Sequence, residues 1–170
     1  LSQRYLVDLL RNGHGNERTD GVQLLLQVAQ RTGDWAEVNL ALTDVTDFAN
    51  HPAYLYIMGR AMFLQGDYAM SRKCLEAVRT NDEWYVKSRY LLGVLDTVEG
   101  NYPSALTHFD FVAGSDLTFR GSGQVHELAV LAQARLNYEQ GLWSAALENY
   151  QKIPETSDYF PTVLYEMGWT

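Results

Sequence analysis

Residues 58–78 read MGRAMFLQGDYAMSRKCLEAV and residues 92–112 read LGVLDTVEGNYPSALTHFDFV, and the two stretches superpose without a gap. Glycine stands over glycine at Gly59 and Gly93, and again at Gly66 and Gly100. Tyr68 stands over Tyr102, Ser71 over Ala105, Leu75 over Phe109 and Val78 over Val112. A register of small, turn-forming and large residues kept over this length is the mark of an internal repeat, which must be sought before any other fold signal.

Working outward, the glycine–polar–aromatic turn recurs as Gly33-Asp34-Trp35, Gly66-Asp67-Tyr68 and Gly100-Asn101-Tyr102, at spacings of 33 and 34 residues. Gly141-Leu142-Trp143 follows after 41, with Leu142 in the polar slot, and the extra length belongs to a loop over Ser115–Gln124 that holds two glycines. Five residues after each turn glycine come Val38, Ser71, Ala105 and Ala146; nine after come Leu42, Leu75, Phe109 and Tyr150. Twelve after come Val45, Val78, Val112 and Ile153. Seven before come Leu26, Gly59, Gly93 and Ala134, and Gly168 continues that column.

The physical sense is a helical hairpin. Apolar residues at three- and four-residue spacing, such as Leu55, Met58, Met62 and Phe63, make a first helix. Glycine ends it, because the left-handed closing position costs glycine little. Asp or Asn is expected to accept backbone donors at the next helix start, and the aromatic to wedge between the helices. Pro52 suits a first helical turn, where its missing N–H is no loss. Helices are expected near 2–12, 19–32, 35–48, 52–65, 68–79, 84–99, 102–113, 124–140, 143–153 and 159–170, with no convincing strand alternation.

These columns resemble the tetratricopeptide repeat (TPR), a 34-residue helix–turn–helix unit. Ser71 and Val38 stand where that family usually has alanine, and Asp96 where an aromatic is common. The resemblance implies an all-α fold, a right-handed α-solenoid of antiparallel helix pairs with a concave groove lined by the first helices. It divides the chain into a preceding-unit helix and loop over 1–18, repeats over 19–51, 52–85, 86–126 (with the loop insertion) and 127–158, and the first helix of an unfinished repeat over 159–170. In that last helix Leu164, Met167 and Trp169 are expected to leave an apolar face uncovered, which suggests a longer natural protein or self-association.

The composition excludes several function classes. A net charge of −8, with 13 Lys and Arg against 21 Asp and Glu, provides no basic face for nucleic acid. No apolar run approaches the roughly 18 residues needed to span a bilayer. The single cysteine, Cys74, sits inside a helical pattern and is expected to be packed. His126-Glu127 begins like a zinc-protease helix, but Val130 stands where the second ligand belongs. Gly121-Ser122-Gly123 lacks the third glycine of a dinucleotide loop and reads as linker. His14 and His51 fall at loop or helix-start positions and His108 on a helix, where surface roles are expected. No catalytic constellation, metal site or cofactor is expected.

By the register of the resemblance, the groove carries Tyr56, Tyr90, Leu131 and Tyr165 three residues before the packing column, with Gln23 ahead of them. One residue after that column lie Arg60, Val94, Arg135 and Trp169, and four after it Phe63 and Tyr138. Each set shares a helical face. The expected groove is glutamine-rich at Gln23, Gln27 and Gln30, then aromatic from Tyr56 onward, with Arg60 and Arg135 as isolated cations. The lysine and asparagine with which the chaperone-binding subgroup clamps a carboxylate are missing from the matching places. The expected partner is therefore an extended or helical protein segment held by aromatic contacts. The segment from Tyr150-Gln151-Lys152-Ile153-Pro154 to Leu164-Tyr165-Glu166 is similar to tandem-repeat proteins of bacterial cell envelopes, which implies periplasmic or outer-membrane-associated assembly work, with a cytoplasmic scaffold as the alternative.

Overall fold

A computed structural model of the chain describes residues 16–36, 52–79, 82–116, 118–119 and 121–170. The described residues form eight α-helices and no strand: α1 Asn16–Thr32, α2 Pro52–Gln65, α3 Tyr68–Ala77, α4 Glu83–Val98, α5 Tyr102–Ala113, α6 Ser122–Glu139, α7 Trp143–Tyr150 and α8 Phe160–Met167. No helix among them is long and apolar enough to cross a membrane. The chain divides into two compact units, residues 1–80 and 81–170. The helix expected near 2–12, and that near 35–48 beyond its onset at Ala36, lie outside the described residues, as do Val38, Leu42, Val45, His14, His51 and the side chains of Gln23, Leu26 and Gln30.

The glycine turn explains why helices stop where they do. Gly66, Gly100 and Gly141 have φ of +83°, +77° and +73°, a backbone region closed to most side chains. Each turn closes with the same two bonds. The Gly66 N–H donates to Phe63 O (3.0 Å) and the Asp67 N–H to Met62 O (2.9 Å). Gly100 and Asn101 donate likewise to Thr97 O and Asp96 O, and Gly141 and Leu142 to Tyr138 O and Asn137 O. This is the Schellman closure, which satisfies carbonyls that the helix end would otherwise orphan.

The start of the next helix meets expectation where the slot holds Asp: the Asp34 carboxylate accepts the Ala36 N–H at 3.1 Å. The Asp67 carboxylate accepts the Met70 N–H at 3.0 Å, but neither Asn101 nor Leu142 makes a side-chain cap. Backbone carbonyls suffice: Asn101 O accepts from Ala105 and Leu142 O from Ala146. The polar slot is therefore not required by the turn, which is why leucine is tolerated there. The aromatic slot varies: Trp35 packs against the core that α1 and α2 share, whereas Tyr68 and Trp143 lie at the end of the preceding helix. Tyr68 lies against Phe63 (ring centroids 5.7 Å) and Trp143 against Tyr138 (4.8 Å), each covering the last turn of the preceding helix while Trp143 stays half exposed.

Replacing Gly100 by alanine tests the turn. An added methyl meets nothing within 4 Å, so the cost is conformational alone. Gly100→Ala is expected to lose about 1–2 kcal/mol in urea denaturation, and Gly100→Asn distinctly less, because asparagine tolerates the left-handed region.

The small and large columns meet inside each unit. In the first unit, a methyl on Gly59 would lie 2.7 Å from Leu75 Cγ; in the second, one on Gly93 would lie 2.6 Å from Phe109 Cε1. Glycine is thus required by the close approach of α2 to α3 and of α4 to α5. Ser71, Ala105 and Ala146 are fully buried, as are Leu75, Phe109 and Tyr150, and Val78, Val112 and Ile153 close the column. Cys74 is buried, and burial raises its thiol above the ordinary range. The first unit also packs Leu25 and Ala29 of α1 on Ile57 and Ala61 of α2. In the second, one cluster gathers Val86, Phe109, Val112, Ala129 and Leu136, and another Leu131, Ala134, Tyr150, Ile153 and Val163.

Helix α4 begins at Asp82, whose carboxylate accepts the N–H groups of Trp84 (2.9 Å) and Tyr85 (3.2 Å). Helix α7 ends at Tyr150, earlier than expected, because Pro154 disfavours helical backbone at Ile153. The turn that follows is tied to α6: Ser157 Oγ donates to Glu127 Oε2 at 2.6 Å, and Gln124 Nε2 to the Tyr159 hydroxyl at 3.1 Å. Glu127 therefore has a structural partner. His108 is not a surface residue either; its Nε2 lies 3.6 Å from the buried Asp96 Oδ2, and its Nδ1 is 3.5 Å from Arg89 Nη1.

Candidate functional site

Among the residues expected to line a groove, the two units hold separate sets. In the first unit Tyr56 is half-buried against the Leu25–Ile57 core and is hydrogen-bonded to Arg60. Burial pushes the Tyr56 phenol up, while the charge and hydrogen bond of Arg60 pull against it. Arg60 is consequently not an isolated cation. Phe63 is half-buried under Tyr68.

In the second unit Leu131 turns inward, while Tyr90 and Val94 are half-buried beside the core. Leu131 is buried in the core with Ala134 and Val163, which corrects its assignment to the groove. The reason is chemical: Tyr56, Tyr90 and Tyr165 in the same column carry a hydroxyl that favours a wet edge, whereas leucine has no polar handle and α8 covers it. Tyr90 packs on Phe109 with ring centroids 5.8 Å apart, and Val94 on the same cluster.

Four others come together. Arg135, Tyr138, Tyr165 and Trp169 line one cleft of about 420 Å³, joined by Glu139, Tyr150 and Glu166. Its floor is a charge cluster. Arg135 Nε donates to both Glu166 oxygens (3.1 and 3.0 Å) and its Nη2 to Oε1 at 2.6 Å. The Tyr150 hydroxyl donates to Oε2 at 2.9 Å. Arg135, expected as an isolated cation, is thus bound in a bidentate pair, the strong geometry for this contact.

The protonation states follow. Burial alone would raise the Glu166 carboxyl, but hydrogen bonds from Arg135 and Tyr150, with the arginine charge, hold it below the ordinary carboxylate range. Burial pushes the Tyr150 phenol upward, reinforced by its bond to Glu166 and by that charge. The Glu166 bond raises the Arg135 guanidinium further. Because the folded-state value of Glu166 is depressed, its stabilising contribution is present above the unfolded value near 4.5 and is lost as pH falls through the folded value. Urea denaturation below about pH 4.5 should therefore show a decline in stability that is shallower in Glu166→Gln.

Above the floor the walls are aromatic. Tyr165 and Trp169 are 68% and 69% exposed, and their rings meet edge to face at 6.1 Å. With Leu164, also exposed, they give α8 and its C-terminal turn an apolar outer face, whereas Met167 packs against the core.

The residues that sequence reasoning missed are Tyr150, read only as packing, and Glu139 and Glu166. An arginine in one first-helix column facing an acid 31 residues later, as Arg135 faces Glu166, is a signal the column reading could have used. Among the described residues no three His, Cys, Asp or Glu side chains gather as a metal site. Comparison with family models, with curated proteins and with solved structures finds no match for this chain.

Proposed function

We propose that the chain is a TPR-like scaffold, its antiparallel helix pairs stacked as a right-handed α-solenoid, that binds a segment of a partner protein. The observation that carries this reading is the pair Tyr165 and Trp169, held open at the mouth of the cleft over the Arg135–Glu166–Tyr150 floor. Aromatic residues provide large contact area at low entropic cost and dominate binding hot spots. The floor fixes α8 against α6 and α7, so the aromatics are presented on a rigid support. Repetition of the glycine turn and of the Gly59–Leu75 and Gly93–Phe109 contacts supports the repeat reading.

Affinity capture with the chain carrying Tyr165→Ala and Trp169→Ala tests this. Both side chains are exposed, so folding stability should change by less than about 1 kcal/mol. Retention of the captured partner should fall on the order of tenfold or more. Unchanged retention would remove the cleft from the proposal.

A second reading, self-association, is favoured by the apolar outer face of Leu164, Tyr165 and Trp169. Light scattering decides between them. A monomer at high concentration dismisses self-association, whereas a dimer lost in the same double variant replaces the partner by a second copy.

A further inference from the structure

We infer that the cleft takes a cationic side chain, an arginine or lysine of the partner segment, with Glu139 as its counter-charge. This rests on the reading of the cleft as a protein-binding site.

The charges in the cleft argue for a cation. Arg135 and Glu166 neutralise each other, and both Glu166 oxygens are already occupied by Arg135 and Tyr150. Glu139 also lines the cleft and is exposed, and it has no ion-pair partner among the described residues. The uncommitted charge is thus one carboxylate. An anionic ligand would meet that carboxylate and an arginine that is already engaged. A purely apolar side chain would desolvate Glu139 without compensating it.

The walls fit the same occupant. Trp169, Tyr165 and Tyr138 line the cleft, and indole and phenol faces attract ammonium and guanidinium groups. A lysine or arginine stem lays its methylenes on such rings while its head reaches a carboxylate. The cleft, at about 420 Å³, suits a side chain rather than a whole helix. The net charge of −8 attracts a basic partner over longer range.

The test uses small probes and the whole chain. N-acetyl-arginine amide is titrated while the tryptophan indole N–H signals are followed by NMR, with the Trp169 signal assigned by its loss in Trp169→Phe. N-acetyl-citrulline amide serves as the neutral isostere and N-acetyl-glutamate amide as the anion. The Trp169 signal is expected to shift saturably with the arginine probe, and citrulline to bind about threefold more weakly or worse. Glu139→Gln should weaken the arginine probe by a similar factor and erase its advantage over citrulline. Equal binding of arginine and citrulline, preference for the glutamate probe, indifference to Glu139→Gln, or no saturable shift overturns the inference. Those results do not depend on partner capture. Loss of capture in the Tyr165/Trp169 variant alongside equal arginine and citrulline binding sinks the cation and leaves the docking surface standing. Arginine selectivity with unimpaired capture sinks the docking reading instead.

Discussion

Phe109→Ala is expected to destabilise the second unit by about 3–5 kcal/mol, a large share of what a domain of this size possesses. The ring is fully buried at the contact of α4 with α5, and it fills the space that Gly93 leaves open. Gly93→Ala acts on the same contact from the other side. Its methyl would lie 2.6–2.9 Å from three atoms of that ring, so the ring must move within a closed core. Overpacking of this kind costs about 1–3 kcal/mol, partly offset by about 1 kcal/mol of better helix propensity. In the double variant the methyl enters the void left by the ring. The two losses should then fall short of their sum by about 1 kcal/mol or more. Urea denaturation of the four members of the cycle checks this; additive losses would show that Gly93 and Phe109 do not share one space.

Tyr150 carries the second large effect, because it belongs to the core and to the cleft at once. Tyr150→Ala removes a buried ring from the cluster of Ala134, Ile153 and Val163 and should cost about 3–5 kcal/mol. Tyr150→Phe keeps the ring and loses only the hydroxyl bond to Glu166, for about 1 kcal/mol, since a partly exposed carboxylate is still solvated. The phenylalanine variant also has a signature that packing does not give. One of the two partners whose hydrogen bonds hold the Glu166 carboxyl down is gone, so its titration midpoint should rise. Carboxyl NMR titration of the two proteins measures that shift directly; an unmoved midpoint would mean the hydroxyl does not govern the charge on the cleft floor.

Much of the helical pattern was legible because it rests on chemistry that acts within a few residues. The 52–65 and 102–113 helices fall at the expected positions, since a glycine at one end and a proline or aromatic start at the other leave little freedom. Gly59 and Gly93 were readable as one column of the repeat, and the close approach they permit is a matter of size alone. The cleft was half legible. Spacing put Arg135, Tyr138, Tyr165 and Trp169 on related faces, but spacing does not say which member of a face another helix will cover, and Leu131 was covered. Nor does spacing reveal a pair formed between helices: Arg135 looked isolated because Glu166 is 31 residues away. His108 shows the same blindness, as a polar residue that read as surface until packing brought it to 3.6 Å from Asp96.

The glycine turn that closes through backbone alone has a practical consequence. Leu142 is half exposed and contributes no side chain to the cap, so its identity is free for the experimenter to choose. The native thiol of Cys74 is buried, and its raised ionisation leaves little reactive thiolate at neutral pH. A cysteine introduced by Leu142→Cys should therefore react with maleimide in preference to the native one. A single fluorophore or spin label can then be seated one residue from Trp143 with the native cysteine left in place.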